Sequence, residues 1–119
     1  ERTLERIVAL VAAPVDERMR IAGELGSDNA TVRTTLDLWI GWWRDVTLVA
    51  NGAHALLSAG MARHAAERIG VAIGPNRARA FLDALLMALA SMDINANPRL
   101  TLENLALELP RLREANARR

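Results

Sequence analysis

Residues 36–52, LDLWIGWWRDVTLVANG, hold all three tryptophans of the chain, Trp39, Trp42 and Trp43, with the charged pair Arg44-Asp45 directly behind them. No proline interrupts the sequence between Ser27 and Asn51-Gly52. Helical pattern therefore runs back to Ser27, Asp28 or Asn29, any of which can cap a first turn. At about 1.5 Å per residue the helix is on the order of 30 Å long, the longest in the chain. On a helical wheel Asp37, Gly41, Arg44 and Asp45 share one narrow polar stripe, while Trp39, Ile40, Trp42, Trp43, Val46, Leu48 and Val49 spread over most of the remainder. A helix apolar on nearly all sides belongs at the centre of a fold. The competing reading, a membrane span, fails on Asp37, Arg44 and Asp45, since each charge at a bilayer centre costs roughly 2.5–3.5 kcal/mol.

Upstream, Leu4, Ile7, Val8 and Val11 recur at helical spacing and predict a first helix over residues 2–12, which Pro14 separates from the next. Pro14 also suits the first turn of a short second helix. Asp16 and Glu17 then face its positive end, Val15, Met19, Ala22 and Leu25 form its apolar side, and Gly26 is available as a C-terminal cap. Downstream of Gly52, a short apolar turn, AHALLSAG, leads into a small-residue helix with Ala62, Ala65, Ala66 and Ile69, ending at Gly70. Small side chains let a neighbouring helix approach closely. Gly74-Pro75-Asn76 restarts the backbone, and Ala78, Phe81, Leu82, Leu85, Leu89 and Met92 make a stripe at i, i+3, i+4, i+7 and onward. Asn97-Pro98 opens the last helix, Asn accepting a free first-turn amide and Pro losing nothing by lacking one. Leu102, Leu105, Ala106 and Leu109 form its stripe, and Pro110 ends it. No segment alternates with period two for more than a few residues, so no sheet is expected.

The fold class is therefore all-α, a single bundle of five or six helices covering residues 1–119. A chain of 119 residues and 51% hydrophobic content hides roughly two thirds of its unfolded surface in one core. Aromatics make up only 3%, so that core is built of Leu, Ile, Val and Ala around the tryptophans. The chain opens on Glu1 in helical pattern without a signal-like segment, and it is read as a piece of something longer. All 15 basic residues are arginine, and Lys, Tyr and Cys are absent. Almost nothing titrates between neutrality and strong alkali, so the pI of about 9.3 exaggerates the basicity of a chain with formal charge +1. This is not the charge profile of a dedicated nucleic-acid binder. Without cysteine there is no disulfide framework, thiol nucleophile or thiolate metal site, which suits a reducing compartment such as the cytoplasm.

The residues that carry chemistry elsewhere do not assemble in this sequence. A phosphate cradle of the P-loop kind needs a lysine the chain lacks, and its seven glycines are scattered. His54 and His64 are ten apart, and His64 has only Glu67 near it on a helix, so no metal site is expected. Neither Ser58 nor Ser91 lies in a nucleophile turn, and no Ser-His-acid order stands out. Glu103 with Glu108 reads as a solvated helix face. No catalytic residue, cofactor site or small-molecule ligand is expected. Trp42 and Trp43 could stack on bases, worth about 1–3 kcal/mol per base where it occurs, but they sit among Leu, Ile and Val, and core packing is the stronger reading. The tail, residues 111–119, carries four Arg against one Glu, and charged chain ends are most often solvated.

The Asp37, Gly41, Arg44 and Asp45 stripe stands out. Charged groups on an otherwise buried helix must reach solvent or meet partners, and Gly41 leaves room for another backbone. The stripe is expected at a helix or subunit contact, with Arg99 a candidate partner for Asp45 or Asp37.

LWIGWWRDVTLVANG, followed some forty residues later by INANPRLTLENLALELP, resembles the C-terminal domain of the delta-prime subunit of bacterial DNA polymerase III, a clamp-loader component. That family carries a Trp-Arg-Asp segment in a long helix and an Asn-x-Asn-Pro-Arg-Leu-x-Leu-Glu segment opening the last one. Here these are Trp43, Arg44 and Asp45, then Asn95, Asn97, Pro98, Arg99, Leu100, Leu102 and Glu103. Thr47 stands where members more often carry Leu, and residues 53–73 carry little that matches.

The resemblance implies a non-catalytic helical collar domain through which clamp-loader subunits associate in a ring, the AAA+ domains that contact ATP, clamp and DNA lying elsewhere. The partners it implies are the delta and gamma/tau subunits, with no membrane and no direct nucleic acid for this segment. Two alternatives accompany it. The related gamma/tau collar carries a similar Pro-Arg-Leu segment, against which the Trp-Trp-Arg-Asp run favours delta-prime. The other is a free-standing helical nucleic-acid-binding domain.

Overall fold

Asp28 begins the longest helix: its carboxylate accepts the Thr31 amide at 2.8 Å and the Thr31 hydroxyl at 3.1 Å. Of the three candidate caps Asp28 is the one in use, while Ser27 lies outside the described residues. The structure, a computed structural model, describes residues 2–26, 28–53, 63–94 and 96–110, with the side chains of residues 2–5 and 12 left out. His54, Ser58, Ala62, Asn95, most of the AHALLSAG turn and the arginine-rich tail therefore fall outside what can be described, as does the Leu4 side chain. Among the described residues there are six helices and no strand: α1 (Arg2–Ala12), α2 (Val15–Leu25), α3 (Asn29–Ala50), α4 (Arg63–Ile73), α5 (Pro75–Met92) and α6 (Pro98–Glu108). None of them is long and apolar enough to cross a membrane. The radius of gyration, 13.6 Å, matches the roughly 13.5 Å of a compact domain of this length. The all-α bundle anticipated above is the fold.

α3 runs through the middle, packing most extensively on α5 and α4 and also on α1, α2 and α6. Its tryptophans are core. Trp43 is fully buried, Trp39 is 1% exposed and Trp42 4%. Trp43 stands edge-on to both Trp42, with centroids 6.0 Å apart, and Phe81 of α5, 5.0 Å away. Such pairs add about 0.5–1.5 kcal/mol to area burial. Its indole N–H donates to the Ala78 carbonyl at 2.7 Å, so the one polar atom of this large side chain is satisfied inside the core.

The outer helices follow the sequence stripes closely. Ile7, Leu10 and Val11 of α1, Ala78, Phe81, Leu85 and Met92 of α5, and Leu102, Leu105, Ala106 and Leu109 at α6 are all buried, with Leu82 and Leu89 packed against the core. Asn97 caps α6 by accepting the Leu100 amide at 2.9 Å, and Pro98 occupies the first turn. Gly74, at φ 86°, supplies the left-handed turn between α4 and α5.

Two expectations need correction. α4 does not stop at Gly70 but continues to Ile73. Gly70 is a contact point rather than a terminator, since a Cβ there would lie 2.7 Å from both the Val46 carbonyl oxygen and Val49 Cβ. Its bare backbone is what lets α4 lie directly on α3. On α2, Pro14 is the residue before the helix rather than inside it. The buried face is Arg18, Ile21 and Ala22, while Val15 is 48% exposed and Met19 and Leu25 are only half-buried.

Candidate functional site

Asp37, Gly41 and Arg44 lie exposed along the outer side of α3, spaced three and four residues apart as one helix face requires. Asp45 leaves this row. Consecutive residues on a helix are about 100° apart, and the step from Arg44 to Asp45 turns the second carboxylate inward, where it is buried. The stripe is thus an exposed row of Asp37, Gly41 and Arg44 with Asp45 at its inner margin, and Trp43 on the opposite, fully buried side. No described residue stands within 4 Å of where a Gly41 Cβ would be. The gap that Gly41 leaves is open surface, not a seat taken by another described helix.

Arg99 does not reach this row, contrary to the pairing expected with Asp45 or Asp37. Its Nε donates to Glu103 at 3.1 Å, one turn along α6. Its guanidinium lies over Gly23 of α2, 3.4 Å from where a Cβ would stand, and its Cα would be 2.7 Å from a Gly26 Cβ. The cause is the Asn97-Pro98 cap, which starts α6 against the glycine-bearing side of α2. Glu103 is therefore engaged and only partly exposed, while Glu108 is exposed as a solvated face would be. The motif residues fall into two groups: Asp37, Gly41, Trp43, Arg44 and Asp45 on α3, and Asn97, Pro98 and Arg99 at the α2–α6 junction.

The most elaborate polar arrangement among the described residues lies at the other end of the α2–α6 pair, on a residue that none of the expectations above singled out. Arg18 is 1% exposed. Its Nε donates to the Leu10 carbonyl at 2.8 Å, one terminal nitrogen to Ala106 and Leu109 at 2.7 Å each, and the other to Val11 and Pro110 at 3.3 Å each. Helix C-termini leave carbonyls unpaired and carry partial negative charge. Arg18 satisfies the ends of α1 and α6 together, and the fork of five donors on a guanidinium is the one side-chain group that can do so. A signal for it exists in the sequence: Arg18 falls in step with Ile21, Ala22 and Leu25, an arginine where the helix faces inward.

A second cation network joins α1 and α2 on the surface. Arg6 donates to Glu24 at 2.6 Å, and Arg20 donates to Glu24 at 2.6 Å and to Glu17. The Arg20 hydrogen bond holds Glu17 below the ordinary carboxylate range, and the Arg6 bond does the same for Glu24. Arg20 is raised in turn, chiefly by its bond to Glu17. Arg33 near the start of α3 pairs with Asp93 beyond α5.

For metal or catalytic chemistry the described residues bring little together. His64 is exposed, and Glu67, its neighbour in sequence, pairs with Arg63 at 3.5 Å. Among the described residues no group of three or more His, Asp or Glu side chains converges. Large apolar side chains stand exposed on α5 and α6 and between them, Leu86, Met87, Ile94, Leu100 and Leu107, and also at Val15 of α2 and Val71 of α4, at 43–79% exposure.

Comparison of the chain with protein-family models, curated proteins and solved structures gives no match in any of the three.

Proposed function

We propose that this chain is a collar-type assembly module of the bacterial DNA polymerase III clamp loader, of the delta-prime kind, acting without catalysis to hold loader subunits together in the cytoplasm during DNA replication. The observation that carries the reading is the division of labour within the two motif segments. Trp43 anchors the central helix in the core while Arg44 stands outside it. Asn97 and Pro98 set the start of the last described helix. These are roles for a scaffold. Leu86, Met87, Ile94, Leu100 and Leu107 supply the apolar side chains that an assembly surface needs. The partners are the delta and gamma/tau subunits, with no small-molecule ligand.

Burial of the tryptophans weakens the nucleic-acid alternative, because faces only 0–4% exposed cannot stack on bases. Mixing the chain with delta and gamma/tau subunits and weighing the products by light scattering tests the proposal. A stoichiometric heavier species is expected, and it is expected to weaken in a Met87→Glu/Leu107→Glu double variant that still folds. Absence of co-assembly, together with salt-sensitive DNA binding by the chain alone, overturns it.

A further inference from the structure

Asn51 is the only asparagine in the chain followed by glycine. Glycine has no side chain to shield its amide nitrogen, so Gly52 offers the least hindered backbone nucleophile toward an asparagine carboxamide anywhere in the sequence. Both residues are exposed, and no described residue lies within 4 Å of where a Gly52 Cβ would be.

The fold opposes the reaction through the hydrogen bonds that end α3. The Asn51 carboxamide nitrogen donates to the Thr47 carbonyl at 2.8 Å, the Gly52 amide donates to Val49 at 2.9 Å and the Ala53 amide to Leu48 at 2.8 Å. While these persist the carboxamide points back along the helix, and the Gly52 nitrogen keeps its proton on Val49. Helix ends open locally at far lower cost than the whole fold.

We propose that Asn51-Gly52 is a spontaneous deamidation site gated by opening of the last turn of α3. In the open turn the Gly52 nitrogen gives its proton to solvent base and bonds to Asn51 Cγ. The Cγ–N bond breaks, and the side-chain nitrogen leaves as ammonia after taking a proton from water. The resulting succinimide adds one water at either carbonyl, giving aspartate or isoaspartate; nothing is oxidised or reduced. The product cannot restore the turn. A carboxylate replaces the donor to Thr47 and stands at the negative end of the helix. In the isoaspartyl form an added backbone carbon also throws the Gly52–Val49 and Ala53–Leu48 bonds out of register. One excursion is thus converted into a permanent loosening of the end of α3, independent of the assembly role proposed above.

The test follows the full chain and a peptide of residues 47–54 in mildly alkaline buffer at body temperature, by peptide mapping and mass spectrometry. Asn51 is expected to convert ahead of every other asparagine, at least about tenfold more slowly in the folded chain than in the peptide, the ratio for an opening that costs about 1.4 kcal/mol. Urea below the unfolding transition is expected to raise the folded rate toward that of the peptide, and Asn51→Asp to lower the melting temperature. Equal rates in chain and peptide, earlier conversion elsewhere, no acceleration by urea, or an unchanged melting temperature in Asn51→Asp would each overturn the proposal.

Discussion

At the scale of single residues the molecule turns on Arg18. A hydrogen bond to a charged group is worth about 1.5–3 kcal/mol, and this side chain makes five of them to backbone carbonyls inside the protein. Replacement by Met keeps the apolar stem and removes every donor. Arg18→Met is expected to cost roughly 3–5 kcal/mol, a large share of the roughly 5–15 kcal/mol that holds a domain together, read from the urea midpoint. Arg18→Lys is expected to recover little, because an ammonium cannot span both helix ends. Gly41 is the opposite case. A methyl group there meets no described residue, and glycine inside a helix costs up to about 1 kcal/mol relative to alanine. Gly41→Ala is therefore expected to raise the melting temperature of the isolated chain. If the exposed row on α3 seats a partner's backbone, the same change weakens co-assembly, and light scattering on the mixture reads that second effect. The contrast shows what sequence can carry at this scale. The inward stripe of α6 was legible because Leu and Ala bury for the same reason everywhere, whereas Arg18 obeys a rule of satisfied carbonyls whose acceptors lie up to 92 positions away. Arg99 escaped for a similar reason: its partner depends on which side of α2 the last helix begins.

At the scale of elements, close approach and capping decide the arrangement. Gly70 brings α4 onto α3 at the level of Val46 and Val49. Gly70→Ala would press its Cβ against a backbone oxygen that cannot move without bending α3. Overpacking of this kind costs about 1–3 kcal/mol, and thermal denaturation of the variant is the check. Gly70, expected from the sequence to end its helix, is instead a close-contact residue. Val71, Ala72 and Ile73 continue the helix to Gly74, whose positive φ makes the actual break. The α1–α2 pair is joined instead by charge. Glu17 and Glu24 titrate below the ordinary carboxylate value when folded, held there by Arg20 and Arg6 in that order. Their contribution is therefore present above the ordinary value of about 4 and is lost as pH falls through the depressed folded values. These groups are exposed, so the effect is small. Glu24→Gln is expected to flatten the acid limb of the stability profile slightly, by lowering stability a little at neutral and alkaline pH while leaving the acid end unchanged, measurable by urea titration from acid to neutral pH.

For the whole molecule, helix order, core composition and the central place of the tryptophan helix were all legible before any coordinate, because a chain with period-3.6 stripes and no period-2 segments has few other ways to bury its apolar faces. What could not be read was how those stripes meet, and hence which surfaces stay uncovered. Leu86, Met87, Ile94, Leu100 and Leu107 are as apolar as their buried neighbours and differ in standing exposed. The Arg18 junction bears on the order in which this shape is reached during synthesis. Of the described carbonyls that hold the guanidinium, three belong to Ala106, Leu109 and Pro110, among the last described residues to leave the ribosome. Until they emerge, burying the inward face of α2 would strand a cation among apolar side chains. Early formation of α3, α4 and α5, with α1 and α2 settling only once α6 is present, is therefore the expected order, read by hydrogen-exchange protection in chains truncated before and after α6.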